Sequence, residues 1–281
     1  MLGAFGIPKL WMGIAIAIFA GIVIFGGLRS IVRFAELVVP LMAGLYVLLA
    51  LGIMAWNITE VPGVLVAIVK SAFGLEEAVG GATGSITAAM LNGIKRGLFS
   101  NEAGMGSAPN IAATATPAPH HPSSQGLVQA FGVFIDTIVI CTATAVMILL
   151  SGVMGPESEL TGTQLTQAAM EAHIGEAGSY FIAVAILFFA FTSIVANYTY
   201  AENAVVYLGA GNNLGIGLLR CAALAMVVWG GYEAVVTVFN TADASMGLMA
   251  TINLIAIVLL SGTVVKLTRD YLSQRKAGDI P

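Results

Sequence analysis

Gly93-Ile-Lys-Arg-Gly-Leu-Phe-Ser-Asn-Glu-Ala-Gly-Met-Gly-Ser-Ala-Pro109 is the stretch that decides how this chain folds. It sits inside residues 84–115, which are otherwise mostly Ala, Ile, Leu, Met and Gly and long enough to cross a bilayer. A continuous helix would turn Ser100, Asn101 and Glu102 into hydrocarbon, where an ionisable side chain costs a few kcal/mol or more. Irregular backbone at that depth is tolerated where it is buried in protein or lines a wet cavity. The segment is therefore expected to run helix, polar break, helix, with the break between about Phe99 and Ser107. Ser107 is placed to cap the second half, with Pro109 in its first turn, where a missing N–H costs nothing. Half-helix ends carry partial charges of both signs, which suits a zwitterionic solute. The break is expected to be a solute-binding site.

Composition sets the solvent. Hydrophobic residues make up 58% of the 281, charged residues 9%, and mean hydropathy is +0.93; soluble domains carry roughly 25% charge. The chain reads as all-α and integral to the lipid bilayer. The net charge of −4 comes without a basic cluster, so no nucleic acid partner is expected. Cys141 and Cys221 both fall in apolar runs and read as small packing residues rather than a disulfide or metal pair. No secretory signal peptide is evident in residues 1–30.

Apolar run length gives seven spans, near 10–27, 34–56, 84–115 (discontinuous), 126–152, 179–207, 214–231 and 245–266. Residues 62–73 are too short to cross and read as interfacial. Residues 234–244 are either a short outer-mouth helix or the start of the seventh span. Arg29, Arg33, Arg220, Lys266, Arg269, Arg275 and Lys276 fall on one side under this alternation, Lys9 and Lys70 on the other. Seven against two places the C-terminus in the cytoplasm. Glu60, Glu76, Glu77, Glu157, Glu159, Glu171, Glu176 and Glu233 then collect outside.

The string from Gly93 to Ala113 closely resembles the signature of the alanine/glycine:cation symporter family. "VIFGGLRSI", "LVVPLMAGLYVLLAL", "QGLVQAFGVFIDTIVICTATAVMILLSG", "LFFAFTSIVANYTYAEN" and "DASMGLMATINLIAIVLLS" extend the similarity over nearly the whole chain from Phe5. The resemblance implies a leucine-transporter-type fold of two inverted five-helix repeats. It aligns this chain with the last two helices of the first repeat (1–60), an external interfacial segment (61–83), the second repeat (84–267) and a cytoplasmic tail (268–281). It also implies a single truncated transmembrane domain, with a missing N-terminal half encoded upstream and no transport by the chain alone. A bacterial cytoplasmic (inner) membrane location follows from the same likeness.

The resemblance further implies that Ser100, Asn101, Glu102, Ala103 and Gly104, with Phe99 beside them, contact a small neutral amino acid such as alanine or glycine. The side chain of Glu102 has three readings, facing the substrate ammonium, pairing with Lys95 or Arg96, or anchoring the break; with two cations within two turns, the structural role is favoured. Thr192 and Ser193 usually would back-bond within their helix; the family match favours them as cation ligands. Asn197 stands where the family often has tryptophan. It implies a larger, more polar pocket or else an interhelical hydrogen bond. Asp136, close to Thr137, Thr142 and Thr144, is either a partner for the break or a cation ligand or proton acceptor. Asp243 is expected as a solvated helix-start carboxylate, and His120 and His121 as linker residues. Gly26-Gly27 and Gly230-Gly231 are expected to allow close helix packing.

Two function classes compete. An intramembrane enzyme would need a nucleophile beside a base or a metal-ligand set within the spans. No histidine falls in a predicted span, and neither H-x-x-x-H nor G-x-S-x-G occurs. A transporter needs the broken helix and scattered hydroxyls, which are present. The expectation is a symporter, not an enzyme, coupled to Na+ or H+, with Na+ the favoured ion and no resident cofactor.

Overall fold

The computed structural model describes residues 6, 8–73, 83–154 and 160–280, without the side chains of 28–29 and 83–89. Residues 74–82 of the expected interfacial segment, with Glu76 and Glu77, lie outside the described residues, as do Glu157 and Glu159. The described residues form helices and connections, with no strand among them. In chain order the helices are α1 (Lys9–Phe25), α2 (Leu28–Trp56), α3 (Val61–Ala72), α4 (Thr83–Asn101) and α5 (Ala108–Ala112). There follow α6 (Pro122–Phe134), a π-helical turn (Ile135–Cys141), α7 (Thr142–Leu150), α8 (Gly162–Ile174), α9 (Glu176–Tyr207), α10 (Asn213–Tyr232) and α11 (Val235–Ala277).

Five described helices are long and apolar enough to cross a membrane: Ser30–Trp56, Pro122–Leu150, Glu176–Tyr207, Asn213–Tyr232 and Val235–Ala277. The expected count was seven, and the two shortfalls have separate causes. α1 has 17 residues, at the lower limit for crossing. The discontinuous span divides into α4, of 19 residues with polar ones throughout, and α5, of only five. The second half was expected to reach Ala115. It stops at Ala112, and Pro117 and Pro119, which lack an N–H and push the residues just before them out of helical geometry, keep it from resuming. Of the ambiguous residues 234–244, all but Ala234 belong to α11, which is 43 residues long, about 65 Å at 1.5 Å per residue. The same helix runs through most of the expected tail at 268–281.

The chain divides into two compact units, Met1–Met90 with Val139–Ala234, and Leu91–Ile138 with Val235–Pro281. Unit one has two apolar clusters. Tyr46, Ala50 and Ile53 of α2 meet Ala143 and Met147 of α7, Met170 of α8 and Ile182 of α9. Ala20 and Ile24 of α1 meet Ile31, Phe191, Val195 and Tyr198. Within the first, the hydroxyls of Tyr46 and Thr144 are 2.7 Å apart, so two polar groups in an apolar setting satisfy each other. α1 and α10 cross at Gly13 and Gly231, where a Cβ on Gly231 would lie 2.9 Å from the Gly13 Cα. Close packing thus rests on Gly231 of the expected Gly230-Gly231 pair, since a Cβ on Gly230 meets nothing within 4 Å.

α8 was not foreseen. Gln164, Gln167 and Glu171 make it too polar for a span, yet Ala169 and Met170 are fully buried, and His173 Nε2 lies 2.8 Å from the Met147 carbonyl oxygen. Neither cysteine forms a disulfide among the described residues, and both are exposed on the chain rather than packed.

Unit two is built on α11. Near its C-terminal end, Tyr271 is buried against the His121 ring, with centroids 5.2 Å apart. His121, expected as a linker residue, is the N-cap of α6: its Nδ1 accepts from the Ser123 N–H at 3.1 Å. Its Nε2 lies 3.4 Å from the Asp270 carboxylate.

Candidate functional site

The backbone leaves helical geometry where the sequence places its polar and glycine residues. α4 ends at Asn101, and residues 102–107 connect it to α5. Glu102 has φ 52°, Gly104 φ 80° and Gly106 φ 96°. Positive φ costs a glycine nothing and an L-residue about 1–2 kcal/mol. Asn101 shapes the turn, its Oδ1 accepting from the Ala103 N–H at 2.9 Å, as asparagine does in Asx turns.

Two further elements of unit two hold the break. The Ser100 hydroxyl donates to the Asp136 carboxylate at 2.7 Å, and Asn101 Nδ2 donates to the Thr137 hydroxyl oxygen at 2.9 Å. Two consecutive residues of α4 thus meet two consecutive residues of the π-helical turn. Such π turns occur mostly as local insertions within α-helices, frequently at functional sites. From α11, Asn253 Nδ2 donates to the Gly104 carbonyl oxygen at 2.9 Å. Of the two roles left open for Asp136, partner of the break is the one its geometry displays, through a hydroxyl instead of a backbone amide.

Charges near the break are arranged differently from expectation. Arg96 pairs with Asp243 at 2.7 Å, so Asp243, the ninth residue of α11, is an ion-pair partner rather than a solvated helix start. The Arg96 guanidinium also lies 5.7 Å from the Phe99 ring centroid and 5.1 Å from that of Phe239, within cation–π range. Glu102 is half-buried and forms no ion pair among the described residues, so of its three readings the pairing with Lys95 or Arg96 is absent there.

Ser107 stands at the N-cap of α5 with helical φ −75° and ψ −45° and no side-chain cap bond. An N-cap side chain reaches its amide from extended backbone, which explains why the expected cap does not form. Its Oγ is buried and has no hydrogen-bond partner among the described residues. Beyond the break, a mainly apolar cleft of about 610 Å³ is lined by Pro109, Ala112, His121, Pro122, Gln125 and Gln129, among others, and by none of residues 99–104.

Phe99, Ser100, Asn101, Glu102, Ala103, Gly104 and Asp136 are therefore brought together in unit two. Thr192, Ser193 and Asn197 lie on α9 in unit one. The hydroxyls of Thr192 and Ser193 each donate to the Phe189 carbonyl at 3.0 Å, and Asn197 Nδ2 donates to the Ser193 carbonyl at 2.9 Å. These are back-bonds within one helix. Ser193 and Asn197, four residues apart, are both exposed on unit one. No group of three or more metal-ligating side chains occurs among the described residues. Sequence reasoning missed Asn253 and the Arg96–Asp243 pair. The signal for Asn253 was a single amide in a mainly apolar stretch; nothing in the sequence joins Arg96 to Asp243.

The family model described as the sodium:alanine symporter family matches residues 1–281. The chain is 48% identical over 276 residues to the amino-acid carrier protein AlsT of Bacillus subtilis, covering 98% of this chain and 57% of that one. It is 47% identical to the probable sodium/glutamine symporter GlnT of the same organism, covering 99% and 57%. Against the sodium/proton-dependent alanine carrier protein of Bacillus sp. strain PS3 it is 41% identical, covering 99% and 65%. The chain thus spans less than two thirds of the length of each.

Proposed function

Because the chain belongs to the sodium:alanine symporter family, a family of transporters and not of enzymes, we propose that it serves cation-coupled symport of a small neutral amino acid. The observation that carries this is the break at residues 102–107. In an apolar chain it presents irregular backbone held by Ser100, Asn101 and Asn253. Solute sites of secondary transporters are typically formed by such discontinuous helices. The C-terminal end of α4 offers carbonyl groups suited to an ammonium, and the start of α5 offers N–H groups suited to a carboxylate. Phe99 and Ser100–Gly104 contact the amino acid.

Na+ is the coupling ion, with Thr192 and Ser193 of unit one and, separately, Asp136 of unit two as the candidate hard oxygen ligands; H+ is the alternative, and one relative is named for both. Alanine or glycine fits the family name. Asn197 favours a wider, more polar pocket, and a relative named for glutamine supports testing a larger amide substrate. The chain adopts part of a leucine-transporter-type architecture in the cytoplasmic membrane, with its C-terminus in the cytoplasm.

Uptake of labelled alanine, glycine and glutamine by cells with and without the gene, in sodium and in choline buffer, tests this. Loss of a sodium-dependent component on deletion supports it. Uptake of all three that is unchanged by deletion overturns it.

A further inference from the structure

Asn253 lies in the apolar part of α11, where a lone amide needs a partner. Its Nδ2 donates to the Gly104 carbonyl oxygen at 2.9 Å. Its Cβ and Cγ stand 3.2 Å from where a Cβ on Gly106 would sit, and its Oδ1 3.4 Å. The carboxamide is therefore seated against both glycines of the break, each at positive φ. The π-helical turn grips side chains of the break, through Ser100 and Asn101. Asn253 grips its backbone. Ten residues earlier in α11, about 15 Å along the helix, Asp243 holds Arg96. One helix thus fastens the discontinuous segment both before and within the interruption.

We infer that Asn253 is a positioning residue for the solute site, fixing the Gly104–Gly106 backbone without itself touching the solute. Its chemistry fits that task. A neutral amide donates to a carbonyl that a broken helix leaves unpaired, and an unpaired carbonyl is costly away from water. A carboxylate of the same shape would oppose that carbonyl with negative charge. An alanine would abandon both the carbonyl and the contact with Gly106.

The inference rests on the transport role proposed above, so two readouts are needed. In purified protein, Asn253→Ala and Asn253→Asp should each speed amide exchange over residues 102–107 by about fivefold, the equivalent of one lost hydrogen bond. Exchange within α9 should stay unchanged, which excludes general unfolding. In membrane vesicles the same variants should raise the KM for the transported amino acid by about tenfold, with maximal rate per transporter within about twofold.

Unchanged exchange over 102–107 overturns the inference. So does faster exchange with unchanged KM, which would make Asn253 a support of the fold alone. If both variants fail to insert, Asn253→Gln, which keeps the amide but shifts it by one methylene, takes the same two measurements. Wild-type vesicles without cation-dependent uptake would overturn the transport role and the solute part of the inference together. Normal wild-type uptake with unaltered exchange in the variants would overturn the role of Asn253 alone.

Discussion

Replacing Gly106 by alanine should loosen the break more than replacing Gly104, although both glycines have positive φ. At Gly104 (φ 80°) an added Cβ would lie 3.7 Å from Leu254 Cδ2, an ordinary contact. Its cost is backbone strain alone, about 1–2 kcal/mol. At Gly106 (φ 96°) the same strain applies, and the new Cβ would lie 3.2 Å from both Cβ and Cγ of Asn253. Asn253 must then shift by a few tenths of an ångström, stretching its 2.9 Å bond to the Gly104 carbonyl. Losing that bond adds about 1 kcal/mol, for a total of about 2–3 kcal/mol. Amide exchange over residues 102–107 in purified protein measures the difference. Gly106→Ala should exchange about fivefold faster than Gly104→Ala, the factor that 1 kcal/mol represents. Gly97→Ala is the control. It lies within α4 with nothing within 4 Å of an added Cβ, and alanine is the better helix former by about 1 kcal/mol. Equal exchange in the two break variants would refute the packing argument, and a Gly106 variant like the Gly97 control would refute the strain argument as well.

Asp136→Asn keeps an acceptor for the Ser100 hydroxyl but removes the charge; the sodium concentration giving half-maximal uptake should rise about tenfold, or 1.4 kcal/mol, and an unchanged value would leave Asp136 a positioning role only. The double variant Thr192→Val, Ser193→Ala removes back-bonds to Phe189, so thermal stability in detergent should move by less than about 0.5 kcal/mol while sodium dependence weakens; intact sodium dependence would remove both from the cation site. His121→Ala deletes the cap on Ser123 and the packing on Tyr271, which should cost about 1 kcal/mol, read as a lower unfolding midpoint with sodium dependence unchanged.

The break was legible because its signals are local. Ser100, Asn101 and Glu102 in an apolar run cannot face lipid, and Gly104 and Gly106 permit backbone that other residues resist. Its extent on the far side was misjudged because α5 ends at Ala112, short of Ala115, and Pro117 and Pro119 keep the helix from resuming. The π turn at Ile135–Cys141 was not legible, since it uses the same apolar residues as the α-helix around it. Without it, Asp136 and Thr137 could not be matched in order to Ser100 and Asn101. Pairings across about 150 residues, Arg96 with Asp243 and Gly104 with Asn253, leave no periodicity to read. His121 was misread for a related reason: its partners Asp270 and Tyr271 sit at the far end of α11. α8 hid behind its polar face, because burial of Ala169 and Met170 comes from packing rather than from apolar length.

The most direct test of the account is Gly104→Leu, introduced into the gene in the cells that carry it, with sodium-dependent amino acid uptake measured beside membrane abundance. A leucine at φ 80° would be strained and would place its side chain at the break itself. Uptake should fall to the level of the gene deletion while the protein remains in the membrane at normal abundance. Wild-type uptake by the Gly104→Leu variant would contradict it, showing that the interruption at residues 102–107 shapes the fold without holding the solute.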